Sequence, residues 1–142
     1  MGYKSILLKR ESGVATIVMN RPGKMNGVDQ EMCKELVAAT EEVARDAEVR
    51  VVILTGTGKA FCAGGDLDST IYDIKDPRGL RDIILSFGQV SINLKNMLKP
   101  AIAMVNGVAV GAGFSFALAC DIIMASDRAR FGHVYLNIGV QS

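Results

Sequence analysis

Two glycine-rich stretches of this 142-residue chain could supply the backbone donors of an oxyanion site. TGTGKAFCAGGD spans residues 55–66 and VNGVAVGAGFS spans residues 105–115, and each belongs with an apolar run typical of a buried strand. Amides near Gly64 and Gly65, and amides at a helix start near Ala112, would be unobstructed by large side chains. Amides of this kind can stabilise a developing oxyanion. The same glycines could instead serve only to permit tight turns.

Neither stretch matches a loop that binds nucleotide phosphates. Ala60 follows Lys59, where a P-loop needs a serine or threonine to bind magnesium. Phe61 stands where a dinucleotide-binding GxGxxG loop has its third glycine. The sequence therefore predicts neither kind of phosphate loop, and the two readings of the glycines stay open.

The remaining nucleophilic and metal-binding side chains are sparse. Cys33, Cys62 and Cys120 are an odd number and lack the paired spacing of a metal site. We expect reduced thiols, some of them in the core, with no metal bound. His133 is the only histidine, and because the sequence indicates no carboxylate partner for it, we expect a structural role.

Composition limits the class of protein. The length is that of one domain, and 49% hydrophobic residues is ample for a core. The net charge of +1 argues against nucleic acid as a partner. The sequence has no apolar run of membrane-spanning length and no signal-like amino terminus. These features predict a cytoplasmic protein that binds neither nucleic acid nor membrane.

The pattern of apolar residues predicts strands that alternate with helices, and hence an α/β fold with parallel strands. Runs at 5–9 and 14–20 suit a hairpin closed by Gly13. Asp29 is expected to cap a helix that runs to about Arg45. A second helix is expected over about 80–98, before Pro100. Further strands are predicted at 51–55, 101–105 and 121–125, and a short helix at 111–119. The predicted inward faces comprise Met32, Leu36, Val37, Val43 and Ala44 in the first helix, and Ile83, Ile84, Phe87, Val90, Leu94 and Met97 in the second.

Three segments together resemble the crotonase superfamily, the enoyl-CoA hydratase/isomerase family. They are ATIVMNRPGKMNGV, KAFCAGGDL and KPAIAMVNGVAVGAGFSFALACDIIMAS, in the order and spacing of that family. The resemblance implies a spiral of ββα units that assembles as homotrimers or hexamers. It also implies an acyl-CoA thioester substrate, with coenzyme A as part of that substrate and no separate cofactor.

The resemblance assigns roles to residues at matching positions. The amides of Gly65 and Ala112 would hold the thioester oxygen while an enolate develops, although the family commonly has glycine at the second position. Residues that match CoA-contacting positions are Lys24, Met25 and Val28 in one loop, and Ala63, Asp66 and Leu67 in the other. For Lys24 the alternative is a solvated lysine on a turn.

This chain departs from the family at the two catalytic glutamates of its hydratases. Ser115 and Tyr135 occupy the matching positions. Ser115 could support the site or be a core serine bonded to its own helix, and Tyr135 could offer its phenol to the substrate or only line the acyl pocket. Because one carboxylate can carry a proton between two carbons, double-bond isomerisation is favoured slightly over hydration.

Some branches of the family place a catalytic carboxylate four residues after the glycine that corresponds to Gly139. In this chain that position is the first one after Ser142. Family members are also nearly twice as long, so the resemblance implies that residues 1–142 are a crotonase-like acyl-CoA-binding core without the C-terminal helical part. The alternative to an enzyme is a non-catalytic CoA-binding or scaffold protein.

Overall fold

Strands and helices alternate along the chain, and the computed structural model describes residues 2–70 and 77–135. The strands are β1 (Ile6–Glu11), β2 (Val14–Met19), β3 (Val51–Gly56), β4 (Ala60–Cys62), β5 (Ala101–Val105), β6 (Val108–Val110), β7 (Ile122–Ala125) and β8 (Arg130–Gly132). The helices are α1 (Gln30–Arg45), α2 (Leu67–Thr70), α3 (Pro77–Asn96) and α4 (Ala112–Ala119), with a 3-10 turn at Pro22–Lys24.

Two sheets organise the described residues. The larger sheet has the strand order β1-β2-β3-β5-β7, and the smaller has the order β4-β6-β8. Strands β1 and β2 form an antiparallel hairpin, and the other strand pairs are parallel. This confirms the predicted α/β class, and it confirms the hairpin, whose turn contains Gly13 at a φ of 82°.

Local signals fix helix α1 as the sequence predicts. Asp29 caps the helix, and its side chain accepts a hydrogen bond from the Met32 amide at 2.8 Å. Met32, Leu36 and Val43 are buried. The prediction for Ala44 is wrong: this residue is exposed, because it lies beyond the edge of the stripe that faces the sheet.

Helix α3 packs on α1, and it begins three residues before the predicted start. Val90 and Leu94 are buried, and Asn93 of this helix donates a hydrogen bond to the Thr40 hydroxyl of α1 at 2.9 Å. Ile84 was predicted to face inward, but it is 48% exposed. Its neighbour Ile83 occupies the buried side of that turn instead.

The sequence pattern missed β4, β6 and β8, which have three residues each. Strand β4 carries the first glycine-rich turn, and β6 leads into the second, so the pairing of β4 with β6 brings the two turns side by side. In the larger sheet, β1 and β7 are the two edge strands among the described residues. No helix of the described ranges is both long and apolar enough to cross a membrane.

Candidate active site

The two glycine-rich turns contact each other. Gly64 has a φ of 93°, in the region that favours glycine. A Cβ atom added there would lie 3.1 Å from the Val110 carbonyl oxygen and 3.6 Å from the Ala112 nitrogen. Glycine at this position therefore allows the first turn to approach the start of helix α4.

A second close approach fixes helix α4 against strand β4. A Cβ atom added at Gly113 would lie 2.3 Å from the carbonyl oxygen of Cys62 and 2.6 Å from its Cβ. Real Cβ atoms do not come so near to a backbone oxygen. Only glycine at position 113 lets the helix start at this distance from the strand, so Gly113 serves close packing of α4 on β4.

The backbone around Gly65 is held from one side by Val28. The Val28 amide donates to the Gly64 oxygen at 2.8 Å, and the Asp66 amide donates to the Val28 oxygen at 3.0 Å. Both bonds use the neighbours of Gly65, so neither one uses the amide of Gly65 itself. The ring of Phe87 lies on another side, 3.4 Å from where a Cβ atom at Gly65 would be.

The Ala112 amide is the first of helix α4. Gly111 occupies the N-cap position with a φ of 53°, and among the described residues no side chain caps this helix. The first hydrogen bond of the helix runs from the Ser115 amide to the Gly111 oxygen at 3.0 Å. The Ala112 amide therefore has no partner within its helix and can serve a ligand. Its neighbour across the contact is Gly64, which adjoins Gly65.

Ser115 and Tyr135, at the two positions matched to glutamates, form a hydrogen bond. Their hydroxyl oxygens are 2.8 Å apart, and either one can donate. The ring of Tyr135 also meets the edge of the His133 ring, with centroids 5.0 Å apart. Phe114 packs on His133 from the other side, with centroids 6.1 Å apart. His133 thus belongs to an aromatic cluster beside the start of α4.

The predicted CoA-binding loops are joined to each other. The Ala63 amide donates to the Met25 oxygen at 3.0 Å. Lys24 forms an exposed ion pair with Asp68, with 3.2 Å between Nζ and Oδ2. Met25 is exposed and has a φ of 50°. Val28, in contrast, is fully buried, so its side chain belongs to the core and its backbone is what links the two loops.

Asp66 is engaged by Arg21, a residue that the sequence reasoning did not single out. The Arg21 Nη2 lies 2.9 Å from the Asp66 Oδ2, and the Asp66 side chain is only 7% exposed. Burial raises the pKa of Asp66, but hydrogen bonds from Arg21 and Ser69 and the charge of Arg21 outweigh it, so the pKa lies below its usual range. Leu67, the other predicted contact, follows as the first residue of α2.

Two asparagines, also missed, hold the turn that leads into β4. Asn26 is fully buried, and its Nδ2 donates to the Thr57 and Ala60 oxygens, both at 2.9 Å. Asn106 donates to the same Ala60 oxygen at 3.1 Å. These bonds to Ala60 join residues 34 and 46 positions apart, so the preference of asparagine for nearby backbone at turns does not identify them from the sequence.

The cysteines are not suited to nucleophilic chemistry. Cys33, Cys62 and Cys120 are free and buried, all in the described part of the chain. Burial raises the pKa of each thiol to about 12, with a smaller contribution from Asp29 at Cys33 and from Asp121 at Cys120. Within residues 2–70 and 77–135, no cluster of three or more His, Cys, Asp or Glu side chains could hold a metal ion.

The fold and these motifs define a class of protein. The family model described as enoyl-CoA hydratase/isomerase matches residues 9–142. The chain belongs to the enoyl-CoA hydratase/isomerase family, as the resemblance predicted. An enoyl-CoA hydratase structure from Mycobacterium smegmatis superposes with a TM-score of 0.92 at 32% identity, over 96% of this chain and 53% of that one. This similarity confirms the crotonase-like fold.

Named relatives include both hydratases and isomerases. A protein of Mycobacterium tuberculosis named probable enoyl-CoA hydratase EchA14 is 39% identical over 138 residues, covering 97% of this chain and 53% of the relative. A trans-2-decenoyl-[acyl-carrier-protein] isomerase of Streptococcus mutans is 33% identical, covering 99% of this chain and 54% of the relative. The chain thus spans about half the length of the curated relatives it matches.

Proposed function

We propose that this chain provides the acyl-CoA site of an enoyl-CoA hydratase/isomerase-family enzyme. In this proposal the amides of Gly65 and Ala112 bind the thioester oxygen and stabilise the enolate that forms during reaction. The observation that carries the proposal is the contact between the two glycine-rich turns. A Cβ atom added at Gly64 would lie 3.6 Å from the Ala112 nitrogen. One donor is the first amide of a helix, where the helix dipole also favours negative charge.

For the reaction of the whole protein we propose double-bond isomerisation ahead of hydration. Isomerisation needs one group to move a proton, whereas syn hydration in this family uses two glutamates. Ser115 and Tyr135 supply hydroxyls at those positions, and Asp66 is held by Arg21. We propose that the proton carrier is a carboxylate at the position four residues after Gly139, which is the first position after Ser142. Gly139 lies outside the described residues. The names of the relatives include both hydratases and an isomerase, so the choice rests on the residues at the two glutamate positions.

We propose further that coenzyme A lies along the joined loops, with its phosphates near Lys24. The contacts assigned to Met25, Val28, Ala63, Asp66 and Leu67 stay predictions, and the burial of Val28 limits it to backbone contact. A cytoplasmic homotrimer or hexamer is the assembly that the resemblance supports.

A second candidate is a CoA-binding protein without catalysis. The observation in its favour is that Ser115 and Tyr135 hydrogen-bond to each other, since that bond occupies the two positions where a hydratase needs carboxylates. Such a protein would keep the oxyanion donors and bind the thioester without turning it over.

Titration calorimetry on the 142-residue chain with free CoA and with acetoacetyl-CoA tests the proposal. Acetoacetyl-CoA offers an enolate oxygen to the two amides and free CoA does not, so we expect tighter binding of acetoacetyl-CoA. Equal affinity would reject the oxyanion site, and no heat with either ligand at millimolar concentration would reject CoA binding by residues 1–142 on their own. Because the proposed proton carrier lies four residues after Gly139, isomerase and hydratase assays on a protein that includes that position separate the enzyme from the binding protein.

A further inference from the structure

Arg21 lies between the predicted CoA loop and the turn that carries Gly65, and its guanidinium contacts both. We propose that Arg21 is a positioning residue that fixes the Gly65 amide by anchoring Asp66 to the CoA loop. This inference rests on the proposed function, because it takes Gly65 as an oxyanion donor. It assigns a role to a side chain that does not itself contact the thioester.

The contacts of Arg21 form a clamp across the two loops. On the first loop, its Nη1 donates to the Gly27 oxygen, and its Nη2 lies 3.1 Å from the Asp29 Oδ2. On the second, the same Nη2 lies 2.9 Å from the Asp66 Oδ2. The planar guanidinium can hold these acceptors together, which a single ammonium group does less well.

The clamp acts beside the hydrogen bonds that orient Gly65. The Asp66 amide donates to Val28, and the Val28 amide donates to Gly64. When Arg21 holds the Asp66 side chain, it also holds the residue whose backbone forms one of these two bonds. The Gly65 amide belongs to the Gly64–Gly65 peptide, whose oxygen accepts the bond from the Val28 amide. Because the Asp66 amide in turn holds the Val28 oxygen, freeing Asp66 would loosen Val28 and so misdirect the Gly65 amide.

Arg21 is not required to cap helix α1, the obvious alternative role. Asp29 caps the helix through Oδ1, which accepts from the Met32 amide at 2.8 Å, whereas Arg21 contacts Oδ2. Loss of Arg21 therefore leaves the capping bond in place. The burial is also uneven, since the Asp66 side chain is 7% exposed and that of Asp29 is 22% exposed. The ion pair with Arg21 therefore matters most to Asp66, the more buried carboxylate, which follows the proposed donor Gly65.

Amide hydrogen exchange by NMR on ligand-free protein tests the clamp directly. In Arg21→Gln, exchange at the Asp66 and Val28 amides should accelerate by at least about tenfold, the size expected for losing a hydrogen bond to a charged group. Exchange at Met32 should stay unchanged, because it reports the helix cap. Arg45→Gln is the matched control, since Arg45 is exposed and its ion pair among the described residues is with Glu41 in its own helix. Unchanged exchange at Asp66 and Val28 would overturn the clamp.

Ligand binding tests the consequence for Gly65. In Arg21→Gln the preference for acetoacetyl-CoA over free CoA should fall, and Arg21→Lys should restore part of it. Equal weakening of both ligands would overturn the positioning role, because it would make Arg21 a plain contributor to CoA binding or to folding. If the wild-type protein binds neither ligand, the proposed function fails. Hydrogen exchange still tests the clamp in that case: unchanged exchange at the Asp66 amide in Arg21→Gln would reject the clamp, and accelerated exchange would support it.

Discussion

The hydroxyl oxygens of Ser115 and Tyr135 lie 2.8 Å apart, so one hydroxyl donates a hydrogen bond to the other. Ser115 is on helix α4, one turn after the Ala112 amide, and Tyr135 follows strand β8. Serine and tyrosine offer hydroxyls, not carboxylates. The pair thus forms a hydrogen bond between two hydroxyls, beside the proposed oxyanion donors, at the positions where family hydratases have carboxylates.

The 142-residue chain should show little or no turnover in crotonyl-CoA hydration or in 3-enoyl to 2-enoyl isomerisation. A positioned acid or base contributes a factor of about 10² to 10⁴, and Ser115 and Tyr135 place hydroxyls where family hydratases have their two carboxylates. Steady-state assays of the purified chain measure this. Turnover comparable to that of a complete hydratase would show that Tyr135, His133 or Asp66 carries the proton, and the placement of the acid after Ser142 would be wrong.

Gly65→Val should weaken acetoacetyl-CoA binding by about 10²-fold, the lower end of the effect of losing one oxyanion-hole donor. A Cβ atom at this position lies 3.4 Å from Phe87, so the added methyl groups must turn toward the thioester or displace the ring. Calorimetry measures the affinity and thermal melting monitors the fold. Gly88→Val is the control, because a Cβ atom there meets nothing within 4 Å. Full affinity in Gly65→Val would remove Gly65 from the site.

Gly113→Ala should destabilise the protein by about 1 to 3 kcal/mol, the usual cost of overpacking. The added methyl would lie 2.3 Å from the Cys62 oxygen, so helix α4 must move away from β4. Urea unfolding gives the free energy. Gly88→Ala, in the exposed part of α3, should instead leave stability equal or slightly higher, since alanine favours a helix more than glycine does. A Gly113→Ala protein as stable as wild type would contradict the close packing.

Asp66→Asn should make stability less sensitive to acid. The pKa of Asp66 is lowered in the folded protein relative to about 3.9 in unfolded chains, so its contribution is present above pH 3.9 and is lost as the pH falls through the folded pKa. Urea unfolding from pH 6 down to the acid limit should show wild type losing more stability than the variant. Asp82→Asn, which removes an exposed carboxylate of α3, is the control. Parallel curves for wild type and Asp66→Asn would show that the ion pair with Arg21 is not formed in solution.

The three thiols should be unreactive in the folded protein. Burial raises the pKa of Cys33, Cys62 and Cys120 to about 12, so almost no thiolate is present at pH 8. Ellman's reagent should label none of them before urea is added and all three afterwards. Fast labelling in native buffer would mean that at least one of these sites opens readily.

Elements with strong local signals could be predicted from the sequence. The hairpin follows from β-branched runs around Gly13, and the start of α1 follows from the Asp29 cap, because each depends on residues a few positions apart. Strand β4 could not be predicted in this way. It has three residues, and it exists because β6, almost fifty positions later, pairs with it.

The residues of the candidate site also differ in whether a local sequence signal could predict them. The motifs pointed to Gly65 and Ala112, but the residues that hold them in place were missed. Arg21 meets Asp66 across 45 positions, and Asn26 meets Ala60 across 34. An arginine or an asparagine has no sequence signal for such a partner, because the contact depends on which strands the fold brings together.

In both sheets the strands lie side by side in the order in which they are synthesised. These orders are β1-β2-β3-β5-β7 and β4-β6-β8. Each arriving strand can pair with one that is already folded, and none has to insert between two earlier ones, so folding can keep pace with synthesis. The strand synthesised last is then always the edge strand of its sheet. With β7 as the edge strand, the side chains of Ile122, Ile123 and Met124 are each at least 40% exposed. An apolar edge strand of this kind is a template for pairing with another chain, so exposure of β7 during synthesis is an opportunity for aggregation.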